Sequence, residues 1–228
     1  MNKTLEMIMD SREDISDYVF HFTKGANAKD TLIKIINDNA VVDIGNNGYI
    51  CFTEAPLLLL PPMFDIFEGY HNPMYTPYGI GIKKEALYNM GGRPVIYGDE
   101  NDLFMLPKEM RWRYVKYVPK VYDFSWLREW RVPCNKVELD FDNSFLVVKT
   151  NNDIDGFEDI TMDVSDIDID AQPEDGGILT EYFFYIERKY KIISVERLND
   201  YNLEKKQRLD EELSKQNKEE SHYYTQWE

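Results

Sequence analysis

The chain has 228 residues, and 42 acidic against 26 basic side chains give it a formal net charge of −16 at neutral pH. That length predicts one domain with a proper core, and the charge argues against general nucleic-acid binding, since phosphate neutralisation by Lys and Arg supplies most non-specific affinity. The N-terminus lacks the apolar run of a signal peptide, and the longest apolar stretch, residues 55–63, is too short to span a bilayer. A cytoplasmic protein without membrane contact is therefore expected.

Most of the predicted elements are strands, marked by runs of β-branched and aromatic residues between turn-forming ones. They are expected at residues 18–23, 40–44, 49–53, 78–82, 94–97, 129–133, 136–141, 182–187 and 191–195. The Gly-Asn-Asn-Gly turn at residues 45–48 should join the second and third strands as a hairpin.

Helical patterns are fewer. Residues 1–17 predict a short helix or a loose arm, and Asp30 can cap an amphipathic helix. A short helix or turn is expected at residues 83–90, and a helix that carries Arg111, Trp112 and Arg113 within residues 102–124. Residues 56–77 have no clean period and predict a long ordered loop over a cleft. The fold class is mixed α+β.

Two segments stand out by their charge. Ten carboxylates lie between residues 153 and 175 without a single Lys or Arg, which indicates an acidic insertion over residues 151–175, a loop or an extended hairpin. So many unpaired charges are costly to bury, and the segment should protrude. The sequence thus predicts a single domain over residues 1–200 that carries this insertion, followed by a charged tail, residues 201–228, forming a marginal helix.

No metal site is predicted. Cys51 and Cys134 are far apart and, with three scattered histidines, lack the spacing of zinc ligands. Reduced structural thiols are expected, as in a reducing compartment. Residues 151–156 resemble the start of a calcium loop, but Met162 stands where a bidentate Glu is required, so an acidic turn is favoured.

Three short segments combine a strand with polar groups. They are Val19-Phe20-His21-Phe22-Thr23, residues 48–56 with Phe52-Thr53-Glu54, and residues 126–133 with Glu129-Trp130-Arg131. Alternation on a strand places His21 and Thr23 on one face. If the three strands are neighbours in one sheet, the side chains of His21, Thr53 and Glu129 should converge on one pocket.

This order, a His strand, a Phe-Thr strand and a Glu strand, resembles the ADP-ribosyltransferase superfamily, and within it the DarT-like toxins and the AbiGi-type abortive-infection proteins. The resemblance covers residues 18–135. It implies a split mixed or antiparallel β-sheet cleft with few helices, in an NAD-dependent mono-ADP-ribosyltransferase that serves as a toxin or a phage-defence effector. NAD would be the substrate, and the acceptor stays open between protein, DNA and RNA.

The resemblance gives Glu129 the catalytic role, because NAD cleavage builds positive charge on the ribose and a fixed carboxylate stabilises it. The residues expected to bind the cofactor are His21, Thr23, Phe52, Thr53, Tyr78 and Tyr97. Tyr75 is a further candidate for stacking on nicotinamide. The ordinary alternatives are a structural histidine at position 21 and a Glu129 that merely pairs with Arg128 or Arg131.

Other classes of function remain open. A non-catalytic acidic interaction protein, an antitoxin or inhibitor, would bind a basic or nucleic-acid-binding partner through residues 153–175. A magnesium-dependent hydrolase would need positioned partners for its aspartates, which the pattern does not supply. The one basic-aromatic stretch contains Arg111, Arg113, Lys116 and Lys120. It could bind the NAD pyrophosphate or an acidic acceptor, or be a solvated helix face.

Overall fold

The structure is a computed structural model that describes residues 3–12, 14–170, 181–188, 190–198 and 206–215. The helices are α1 (Lys3–Ser11), α2 (Ala28–Asn37), α3 (Pro61–Glu68), α4 (Lys84–Asn89), α5 (Glu100–Met105) and α6 (Asn151–Thr161), with a further helix at residues 206–215. The strands are β1 (Tyr18–Phe22), β2 (Ala40–Val42), β3 (Ile50–Thr53), β4 (Gly79–Lys83), β5 (Arg93–Pro94), β6 (Ile96–Gly98), β7 (Tyr114–Lys116), β8 (Glu129–Val132), β9 (Lys136–Glu138), β10 (Ser144–Val148), β11 (Met162–Asp170), β12 (Glu181–Arg188) and β13 (Lys191–Ser194).

Seven strands form one mixed sheet in the order β13-β10-β4-β1-β3-β8-β5. The neighbours run antiparallel except for β10 and β13, which are parallel. The α+β class and the mixed sheet agree with the sequence, whereas several helices replace the few that were expected. Among the helices of the described residues, none is long and apolar enough to cross a membrane.

The sheet has apolar cover on both sides. On one side, which we call the α2 face, Val19, Phe52 and Trp130 belong to the same core as Leu32 of α2 and Phe157 of α6. On the other side, which we call the α3 face, Phe20, Phe22, Phe145 and Val147 form a second core with Phe64 of α3. The two faces therefore take alternate residues of each strand, as strand geometry requires.

The junction between β1 and β3 has the fewest paired residues in the sheet. β1 pairs with β4 along all five of its residues but with β3 only at Phe20–Thr53. β3 in turn pairs with β8 along all four of its residues. The two strands nevertheless belong to one continuous seven-stranded sheet.

The segment predicted as a long loop, residues 56–77, contains α3. This helix begins with Pro61 and Pro62, where a missing N–H costs nothing because the first turn leaves its N–H groups unbonded. The prolines that suggested a loop thus mark a helix start. The helix expected within residues 102–124 is present as two short pieces: Pro107 separates α5 from a 3-10 helix, Lys108–Arg113, which carries Arg111, Trp112 and Arg113 and leads into β7.

The acidic insertion is part core and part hairpin. Its first residues form α6, where Phe157 is fully buried and the Asp153 side chain is only 12% exposed. The expectation that the whole segment lies outside the core is therefore wrong, because α6 has an apolar side that packs on the α2 face. β11 and β12 then pair antiparallel as an extended hairpin; residues 171–180 lie outside the described residues, as does most of the tail.

Candidate functional site

Glu129 is presented by a turn that the end of β3 holds in place. A 3-10 turn, Ser125–Leu127, precedes Arg128, whose φ of 46° lies in the left-handed region. The Thr53 hydroxyl donates a hydrogen bond to the Leu127 carbonyl. The Glu54 N–H lies 3.2 Å from the carbonyl oxygens of both Leu127 and Arg128. These bonds fix the direction in which the chain enters β8.

The carboxylate of Glu129 is held by an arginine on the same strand. Arg131 Nε donates to Glu129 Oε1 at 2.7 Å, and the side chains are 12% and 14% exposed respectively. The Arg131 guanidinium also donates to the carbonyls of Trp112 and Tyr114 and stacks over the Tyr49 ring at 4.2 Å. Glu129 is thus a fixed, partly buried carboxylate whose charge is balanced by Arg131, the ion pair that the ordinary alternative named.

Aromatic side chains surround this pair. The Glu129 N–H donates to the Tyr97 hydroxyl at 3.1 Å, and that hydroxyl donates to the Phe124 carbonyl. Burial, and then the negative charge of Glu129, raise the pKa of Tyr75 to about 12. The Tyr75 ring makes an edge contact with Trp126 at 6.1 Å. A flat or cationic ligand beside the carboxylate would meet these rings.

Cys51 also lies beside the carboxylate. Partial desolvation, followed by the charge of Glu129, raises the pKa of its thiol to about 12. The thiol therefore stays protonated at neutral pH and is not a nucleophile there, because reactivity belongs to the thiolate.

His21 does not join this group. Glu129 is paired with Thr53, and Thr53 with Phe20; directly opposed residues of antiparallel strands share one face. Glu129 and Thr53 consequently lie on the α3 face, while His21, the neighbour of Phe20, lies on the α2 face against Phe52. The expected convergence of His21 with Thr53 and Glu129 is wrong.

The His21 ring links β1 to β3. Its Nδ1 lies 2.9 Å from the Cys51 carbonyl oxygen, and because a carbonyl accepts, this nitrogen carries the proton. Desolvation lowers the pKa of His21, which keeps the imidazole neutral. This is the structural histidine of the ordinary alternative, placed where β1 and β3 part.

Three of the residues expected to bind the cofactor have side chains that are already hydrogen-bonded to the backbone or packed in the core. The Thr53 hydroxyl, besides its bond to Leu127, accepts from the Ala55 N–H at 3.1 Å, and the residue is 5% exposed. The buried Thr23 hydroxyl donates to the Tyr78 carbonyl at 2.8 Å. Phe52 lies in the α2-face core. Their geometry supports structural roles and offers no free group to NAD.

A cavity of about 540 Å³ opens next to this region. Its walls come from the start of α2, from α3 and the loop after it, and from the ends of β4 and β10; they include Lys29, Phe64, Tyr75, Tyr78, Lys149 and Glu196. Tyr75 lines the cavity and also stands beside Glu129, and Tyr78 donates a hydrogen bond from its hydroxyl to Asp153 at 3.1 Å. The cavity and the Glu129 pair are therefore neighbours across one aromatic ring.

From the sequence, Arg131 was expected only as a possible ion-pair partner of Glu129. Its signal was available, since residues two apart on a strand share a face. Within the described residues, no three His, Cys, Asp or Glu side chains are grouped as a metal site requires. Comparison with protein-family models, with curated proteins and with solved structures finds no match to this chain.

Proposed function

We propose that the Glu129 site cleaves NAD and transfers its ADP-ribosyl group to an acceptor, as a mono-ADP-ribosyltransferase with a toxin-like or defensive role. One observation carries the proposal: a fixed, mostly buried carboxylate stands at the end of a strand between aromatic rings and a basic segment. Such a preorganised charge stabilises a developing cation far better than a solvated one does.

The reaction is a substitution at the anomeric carbon of the nicotinamide ribose. The bond from this carbon to the nicotinamide nitrogen breaks, and its electron pair leaves with the now neutral nicotinamide. Positive charge develops on the ribose, and an acceptor lone pair forms the new bond while the acceptor proton passes to a base or to water. Arg131 binds Oε1 of Glu129, so Oε2 is the oxygen that faces the ribose in this mechanism.

The phosphates of NAD need unpaired positive charge, and the two lysines that line the cavity beside Tyr75, Lys29 and Lys149, are already paired with carboxylates. The 3-10 turn Lys108–Arg113 and β7 run along β8, where Arg131 binds their backbone. This stretch carries Arg111 and Arg113, and its rings suit a nucleotide. The proposal therefore places the pyrophosphate over this segment and the nicotinamide ribose between Tyr97 and Tyr75. It gives His21 no contact with the substrate.

The test is nicotinamide release from NAD by the purified protein, combined with calorimetric titration of NAD. Glu129→Gln should keep NAD binding and lower the rate by about 10²–10³, the usual effect of removing one preorganised electrostatic group. Glu138→Gln is the matched control, because Glu138 also pairs with a basic residue two positions away on a strand but is exposed. A folded wild-type protein that neither binds NAD nor releases nicotinamide would overturn the proposal, as would undiminished turnover in Glu129→Gln.

A further inference from the structure

The charges around the cavity beside Tyr75 do not cancel. Its two lysines are already paired with carboxylates of the chain: Lys29 binds Asp153 at 2.7 Å, and Lys149 binds Glu68. Two charges of each sign are thereby neutralised. Any ligand attracted by charge must therefore respond to the carboxylates that are left over.

Two such carboxylates line the cavity, Asp65 on α3 and Glu196 after β13. In the described part of the chain the Asp65 side chain has no hydrogen bond or ion pair. Glu196 uses one oxygen to accept from the Asn151 N–H at 2.9 Å and has no basic partner among the same residues. The cavity thus has an excess of two negative charges and repels anions such as phosphate.

The remaining wall is aromatic. Phe64, Tyr70, Tyr75 and Tyr78 contribute to it. Ring faces attract an ammonium or guanidinium group, and more strongly where water is partly excluded. Carboxylates combined with rings select a cation on an aliphatic stem, and the volume of about 540 Å³ is that of an ordinary ligand site.

The surface around the opening indicates a polypeptide ligand. Tyr70 lines the cavity, and Met74 lies in the chain between the lining residues Pro73 and Tyr75; both side chains are exposed. Exposed apolar side chains beside a pocket are typical of protein contacts. The formal charge of −16 attracts a basic macromolecule. A small amine carries a single charge and is attracted less strongly.

We infer that this cavity is the docking pocket for a lysine or arginine side chain of a basic protein segment. The basic partner would then bind at this cavity and not through residues 153–175, and its binding does not depend on the transferase activity. The cation sits between the carboxylates of Asp65 and Glu196 with its stem along the tyrosine rings, and the flanking residues of the segment cover Met74.

The experiment measures fluorescence anisotropy of a short labelled peptide with one central arginine flanked by leucines. Versions with lysine or glutamine at the centre are compared, and agmatine is added as a small guanidinium competitor. The arginine and lysine peptides should bind about tenfold more tightly than the glutamine peptide, and agmatine should compete only weakly. Equal binding of the glutamine peptide overturns the inference, and agmatine binding as tight as the peptide's overturns the assignment to a protein segment.

Charge variants separate the pocket from the overall charge. Asp65→Asn with Glu196→Gln should weaken the arginine peptide by about tenfold or more. The control pair, Glu85→Gln with Asp142→Asn, makes the same change in net charge at exposed positions outside the cavity lining. If both pairs of substitutions weaken binding equally, net charge alone explains the attraction, and the inference is overturned.

Folding is controlled by the single variant Asp65→Asn, since Asp65 is exposed and its side chain makes no bond to the described structure. This variant alone should weaken the arginine peptide at an unchanged melting temperature. Nicotinamide release without peptide should be the same in Asp65→Asn as in wild type, so a failure of the docking pocket and a failure of the transferase proposal remain distinguishable.

Discussion

The two halves of the seven-stranded sheet differ in what their strands present. In β4 and β10, on one side of the β1–β3 junction, every residue is buried except Lys83, because apolar side chains cover both faces. In β8, on the other side, Glu129 and Arg131 are partly exposed between buried neighbours. The strands of the first half are therefore apolar throughout, as in an interior strand. In β8 of the second half, buried and partly exposed residues alternate.

The difference shows where this fold can hold polar chemistry. A charge buried on a doubly covered strand would need a complete set of partners. On β8 one face has apolar cover while the other holds an ion pair beside aromatic rings. The covered half supplies stability, and the alternating half supplies the groups that a ligand can reach. Three measurements can break or sharpen this contrast.

The largest effect is expected in the covered half. Leu146 of β10 is fully buried, so Leu146→Ala should lower the free energy of unfolding by about 2–5 kcal/mol through lost contacts and a cavity. In the alternating half, Glu129→Gln should lower it by less than about 1.5 kcal/mol, because Arg131 keeps its two carbonyl acceptors. Urea denaturation followed by fluorescence measures both. Equal costs would show that the halves do not differ in this way.

An intermediate effect is expected from Arg131→Met. It leaves the mostly buried Glu129 carboxylate without its partner, which should cost about 1–3 kcal/mol in the free energy of unfolding. Adding Glu129→Gln should recover part of that loss, because the two side chains act as one pair. Lys136→Met, which breaks the exposed pair with Glu138, should cost less than about 1 kcal/mol. Equal losses of unfolding free energy in Arg131→Met and Lys136→Met would contradict the argument from burial.

The smallest effect is a pH dependence from His21. Its folded-state pKa is lowered by desolvation, while in the unfolded chain it titrates near about 6.5. Between those two values the unfolded chain binds a proton that the folded protein does not, so stability falls as the pH is lowered through this window. The melting temperature of His21→Asn should depend less on pH there than that of wild type. A pH slope in His21→Asn equal to that of wild type would contradict the prediction.

Local patterns were enough to predict much of the sheet. Strands were expected within a residue or two of β1, β3, β4 and β8, because alternation and turn residues act over short distances. β10 was missed although its run Ser-Phe-Leu-Val-Val has the continuous apolar character of an interior strand. The helices α3 and α6 were missed because prolines and carboxylates suggested loops, whereas in the fold both helices bury one aromatic side, at Phe64 and Phe157.

The sequence by itself determined the fold class, the strand that carries Glu129 and the possibility of its pairing with Arg131, since these depend on residues close together in the chain. Only the tertiary structure decided which side chains share a face. Antiparallel register is set by packing across the sheet, and a shift of one residue moves every side chain to the other side. The single pair Phe20–Thr53 placed His21 on the other face of the sheet from Glu129. Folding of the loop after α3 then brought Tyr75 to the carboxylate instead.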